Sequence, residues 1–141
     1  IDQLISRESE KGLESKATYL QFARRVEAIK TRLAAFIEEI LARNEVVVGY
    51  GAPAKANTII NYCGFTSSHI RYLVDDNPLK QNTYSPGARI PVVSSKQLET
   101  EPPSYIIIFA WNFAEEIMAK LSSFKQRGVK FVIPLPTLKI I

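Results

Sequence analysis

Apolar positions along this chain repeat at two different periods. From residue 13 to 43, Tyr19, Phe22, Val26, Ile29, Leu33, Phe36, Ile37 and Ile40 recur at steps of three and four, which aligns them on one face of a long helix. Ser15 is placed to cap its start and Asn44 to end it. The stripe reads as core, covering a sheet or packing on a neighbouring domain. Beyond it the apolar runs shorten to strand length, at 46–48, 70–74, 90–93, 105–111 and 129–135. The fourth is apolar throughout, as expected of a strand buried on both faces. Helical segments are expected between them: 53–62, stopped by Gly64; a brief turn from Ser94 or Ser95 through Leu98, broken by Pro102 and Pro103; and 113–127, stopped by Gly128. Asn112 is placed to cap this last helix, and Phe113, Ile117, Leu121 and Phe124 are expected to face inward. Residues 79–89 read as a loop, and no internal repeat is evident.

Strands that alternate with helices predict a parallel α/β sheet. Right-handed crossovers from a central first strand give a Rossmann-like three-layer fold of about five strands in the order 3-2-1-4-5, led by the long N-terminal helix. Residues 1–12 are expected to be a linker or short helix from a preceding domain, and 13–141 a single domain. In such sheets ligands bind outside the carboxyl ends of strands one and four. Gly49-Tyr50-Gly51 and Trp111-Asn112 are therefore expected to meet at one crevice.

The first strand runs into VVVGYGAPAKANTIIN, where Gly49, Gly51 and Ala54 fit the G-x-G-x-x-G/A spacing of a pyrophosphate-binding turn. Gly49 would allow a sharp turn, Gly51 a close backbone approach to ligand, and Ala54 tight helix–strand packing. Pro53 suits the first helical position, and Lys55 would add charge to the anion site at the helix N-terminus. A tight turn without ligand has the same spacing. Asp75-Asp76-Asn77-Pro78 ends the second strand about twenty residues later, where a ribose-binding acid belongs in this topology. The same residues are common turn chemistry.

Composition narrows the function. With 46% hydrophobic and 23% charged residues the chain is of ordinary globular type, and no apolar run is long enough for a membrane span. It opens on Ile1 without a signal pattern, which reads as a piece of a longer chain. Cys63 is the one cysteine, so no disulfide framework is expected, and a cytoplasmic setting follows from that. The net charge of +4 and pI near 9.2 come from scattered Lys and Arg rather than a basic block. That argues against nucleic acid and suits a phosphorylated small ligand. Catalytic constellations are hard to assemble. His69, the one histidine, falls nearer the amino end of the sheet, Cys63 reads as a buried structural thiol, and Asp75 and Asp76 point in different directions. No cluster has metal-ligand spacing. Tyr50 and Trp111 are candidates to stack on a base or sugar. Binding is favoured over catalysis, with no catalytic or metal residue assigned.

Four ordered blocks, VVVGYGAPAKANTIINYCG, LVDDNPLKQNTYSPGARIPV, IIIFAWNFAEEIMAKL and VKFVIPLPT, together resemble the C-terminal domain of the S-adenosylmethionine-dependent C-methyltransferase family, which includes nucleotide-sugar C-methyltransferases. The resemblance covers essentially the whole chain. It implies a parent with an N-terminal zinc-binding domain, a central domain that holds S-adenosylmethionine, and this Rossmann-like domain, which helps enclose a nucleotide-linked sugar against the central one. No cofactor is then expected in this domain. By matching blocks, Gly49, Tyr50, Gly51, Ala52, Pro53 and Lys55 are carried over as the phosphate-facing turn. Asp75, Asp76, Asn77, Lys80 and Gln81 match the second block, and Trp111 with Asn112 the third. The second block has Asn82 where a glycine is expected, and Asn tolerates the left-handed backbone that such a turn needs. The rival readings are an NAD- or CoA-binding module of an oxidoreductase or sensor, and a ligand-free scaffold whose long helix docks a neighbouring domain.

Overall fold

The computed structural model describes all 141 residues as a mixed, mostly parallel sheet flanked by helices on both faces. A short α1 (Asp2–Glu10) with no buried residue precedes α2 (Lys16–Ala42). The Ser15 side chain accepts from the Ala17 amide, and Asn44 leaves the helix at φ 56°. Then follow β1 (Val47–Tyr50), α3 (Ala54–Cys63), β2 (Leu73–Val74), β3 (Thr83–Tyr84), β4 (Pro91–Val93) and α4 (Gln97–Thr100). β5 (Tyr105–Ile108), a 3-10 turn at Trp111–Phe113, α5 (Ala114–Lys120), α6 (Ser122–Gln126), β6 (Lys130–Ile133) and β7 (Lys139–Ile140) complete the chain.

The sheet has seven strands in the order β3-β4-β2-β1-β5-β6-β7, a correction to the expected five: the predicted strands keep their relative order 3-2-1-4-5 as β4-β2-β1-β5-β6, and one further strand at each edge changes the full order. The five inner strands are parallel. The two added strands are antiparallel pairs at the edges, β3 on β4 and β7 on β6. Each is two residues long, too short to show any periodicity, so only its hydrogen-bonded partner defines it. β2 is shorter than the apolar run that predicts it, because only Leu73 and Val74 pair in register with both β1 and β4. The segment expected as one helix over 113–127 is divided at Leu121 (φ −98°, ψ 19°).

Side-chain alternation sorts the core into two layers. Val47, Tyr105, Ile107 and Phe109 face α2 and α3, and pack with Leu33, Ile37, Ile40, Ala56 and Ile60. Val48, Tyr50, Ile106 and Ile108 face the other way, onto Leu98, Ile117, Leu121 and Phe124. Only the second half of the α2 stripe is core: Leu33, Ile37 and Ile40 are buried, whereas Tyr19, Leu20 and Phe22 are exposed. No helix is long and apolar enough to cross a membrane.

Candidate functional site

The glycine turn is built from packing constraints. Gly49 lies inside β1 rather than in a turn, and a Cβ there would meet Leu73 and come within 2.8 Å of the Phe109 ring. Gly51 is the residue that turns, at φ +87°, and a Cβ on it would come within 2.9 Å of the Ala110 Cβ. Its small size is required by the neighbouring strand end. Ala54 is exposed and belongs to neither core layer, while Ala56, two residues later, is the fully buried small residue between helix and sheet. Pro53 is the N-cap, in extended conformation (ψ 166°), instead of the first helical residue.

Two amides of the turn are already occupied. Gly51 N–H donates to the Val74 carbonyl at 2.7 Å, and Ala52 N–H donates to Asp75 Oδ2 at 2.8 Å. Pro53 has no N–H to offer. Asp75, nearly fully buried, also accepts from the Asn77 amide at 3.0 Å and from Lys80 Nζ at 3.0 Å. Burial by itself would raise its pKa, but the two amides and the ammonium outweigh it and hold the carboxyl below the usual range. Lys80 also donates to the Ala52 carbonyl, and Gln81 Nε2 donates to the Asp75 carbonyl at 2.9 Å. Asn77 uses its side chain to accept from Leu79 N–H. An internal carboxylate therefore stands where a bound anion would take the turn amide. Asn77, Lys80 and Gln81 are held in the same knot. Asn82 adopts φ 62°, so the turn survives without a glycine.

Asp76 points away from Asp75, as adjacent residues at a strand end do. It accepts from the Tyr50 hydroxyl at 2.8 Å and from Lys120 Nζ at 2.7 Å. Burial pushes the Tyr50 phenol up, so it is a hydrogen-bond donor and not a base near neutral pH. Tyr50, Gly51, Asp75, Asp76, Ala110, Phe113, Glu116, Ile117 and Lys120 line a crevice of about 310 Å³ at the carboxyl ends of β1 and β5. Phe113, expected in the core, is exposed at this rim because the 3-10 turn swings it outward.

Trp111 does not join Tyr50 in that crevice. It lies on the α2 face, with Lys55 Nζ 4.1 Å from its ring centroid, so the lysine expected to face a phosphate makes a cation–π contact instead. Asn112 is exposed and caps no helix through its side chain. Trp111 lines a second, larger cleft of about 700 Å³ between α2 and residues 134–138. Its arginines, Arg25 and Arg32, escaped the sequence reading. The signal was there: two cations seven residues apart, flanking the apolar stripe. Glu116 and Lys120 escaped because they sit on the outer face of α5.

Elsewhere, His69 lies at the amino end of the sheet, its Nδ1 accepting from the Thr66 amide and its Nε2 3.4 Å from Glu38. Cys63 is half-buried, and burial raises its thiol pKa. The residues present do not fit zinc: no group of three His, Cys, Asp or Glu side chains is arranged to hold a metal ion.

The chain is 32% identical over all 141 residues to the C-methyltransferase NovU of Streptomyces niveus, and spans about a third (34%) of that protein's length. A family model described as the C-methyltransferase C-terminal domain matches residues 1–136. With a match that runs from the first residue almost to the last, the chain belongs to the family of C-methyltransferase C-terminal domains.

Proposed function

We propose that this domain holds the substrate of an S-adenosylmethionine-dependent C-methyltransferase, the acceptor being a nucleotide-linked sugar or a related small molecule. The methyl donor, the zinc and the catalytic base belong, in this reading, to other domains of the parent. The preceding domain is the partner against which the substrate is enclosed, in the cytoplasm. The observation that carries the reading is the family membership, set beside the side chains gathered at the carboxyl edge of the sheet. Tyr50 and Phe113 stand at one cleft there and Trp111 at the other, each with a cation close by. Aromatic faces and cations serve to hold a base, a sugar and phosphates in position. Tyr50 stays protonated and paired with Asp76, which suits orientation of a ligand rather than proton transfer.

The NAD or CoA reading loses its main support in the turn. A pyrophosphate seated on the Ala52 amide would have to displace Asp75 from that amide and from Lys80, and so leave a buried carboxylate unpaired. The scaffold reading keeps one observation, the exposed Tyr19, Leu20 and Phe22 of α2, which also suits docking beside a neighbouring domain. Parallel calorimetric titration with thymidine diphosphate, UDP, NAD, CoA and S-adenosylmethionine separates the three. Preference for a nucleoside diphosphate, without S-adenosylmethionine binding, is expected. Preference for NAD or CoA would overturn the proposal.

A further inference from the structure

The two clefts at the carboxyl edge of the sheet differ in charge. The crevice beside α5 is lined by Asp75, Asp76 and Glu116, with Lys120 as its one cation. The groove on the α2 side contains Arg25 and Arg32 and no carboxylate. Seven residues apart on α2, these arginines share one face and are separated by about 10 Å along the axis. Neither takes part in an ion pair of the structure. No acid lies three or four residues from either along the helix, where one would neutralise it. Arg25 has only the Phe22 ring, at 6.0 Å from the centroid. The wall between them is apolar, from Val26 and Ile29 to Leu135 and Leu138. Trp111 closes one side, and Lys55, outside the groove lining, lies over its ring.

Unpaired guanidinium groups beside an apolar wall and an indole match one kind of small ligand. Their planar forks suit phosphate oxygens, and an aromatic ring suits the π-face of a base. The volume of about 700 Å³ is within the range of small-molecule sites. We propose that this groove seats the nucleoside diphosphate portion of the substrate, with Arg25 and Arg32 on the diphosphate and Trp111 against the base. The excess of carboxylates in the crevice beside α5 repels the same anion. The assignment rests on the substrate-holding reading and places the charged end of the ligand away from the glycine turn.

Trp111 is the single tryptophan, so its emission reports on the groove alone. The full chain is titrated with thymidine diphosphate and with UDP, following heat and tryptophan fluorescence together. A saturable change in emission is expected, weakened by added salt. Arg25→Ala combined with Arg32→Ala should reduce affinity on the order of 100-fold, as loss of two charged hydrogen-bond sets implies. Arg127→Ala, which removes an exposed arginine paired with Glu99 and lining neither cleft, should leave affinity intact. Arg25 and Arg32 are exposed, and a thermal melt checks that the double variant remains folded. Heat of binding with unchanged emission, and unchanged affinity in the double variant, would overturn the groove and leave the substrate-holding reading standing. Binding of NAD or CoA alone would overturn that reading itself. No binding by the folded chain, or a dimer that Phe22→Glu dissociates, would overturn the groove as a nucleotide site.

Discussion

Asp75 decides what the glycine turn can do, because its carboxylate occupies the amide that a ligand phosphate would otherwise use. Its pKa is held below the ordinary carboxylate value, so the charged form is stabilised by folding. That stabilisation is present above the unfolded-state pKa of about 3.9 and is lost as pH falls through the folded-state value. Asp75→Asn should therefore cost about 1–3 kcal/mol at pH 7 in urea unfolding, with the gap to the unaltered chain closing below about pH 4. Gly51 makes the complementary point. At φ +87°, with Ala110 within 2.9 Å of the missing Cβ, Gly51→Ala should destabilise the fold by about 1–3 kcal/mol, whether or not any ligand is bound. A variant at Gly51 thus reports on packing before it reports on binding.

At the scale of elements, α2 is one helix with two environments. Its 27 residues extend about 40 Å, well beyond the sheet they cover. Leu33 is buried and Phe22 is 58% exposed, although both belong to the same apolar stripe. Leu33→Ala should cost about 2–5 kcal/mol, and Phe22→Ala less than about 0.5 kcal/mol, measured by urea unfolding of the chain. Hydrogen exchange should show the same division, with amides of 20–28 exchanging faster than those of 34–42. The break between α5 and α6 has a local contribution: Ser122 and Ser123 follow Leu121, and serine competes for backbone hydrogen bonds. Leu121 and Phe124 stay buried on either side of it.

Over the whole molecule, the parallel strands carry both cores, and the charge is divided between the two faces at their carboxyl ends. α1 contributes to neither core. Deletion of residues 1–11 should accordingly shift the melting temperature by less than about 2 °C, read by circular dichroism.

The sequence by itself determined the α/β alternation, the long helix with its Ser15 cap, and the strands that carry the core, because period, caps and glycine stops are local properties of the chain. It also determined the family, through blocks that cover the chain from end to end. It did not determine which half of the α2 stripe is buried, since a helix of one period looks the same over a sheet or in water. The edge strands β3 and β7 are two residues each, too short to show a period, and only their antiparallel pairing with the neighbouring β4 and β6 marks them. Nor did the spacing of Gly49, Gly51 and Ala54 show that Asp75 fills the turn, or that Lys55 turns to Trp111, because each depends on a residue more than twenty positions away. Only the tertiary structure decided that the carboxyl edge is divided into an acidic crevice and a cationic groove, since charge at a cleft is a sum over elements that only folding brings together.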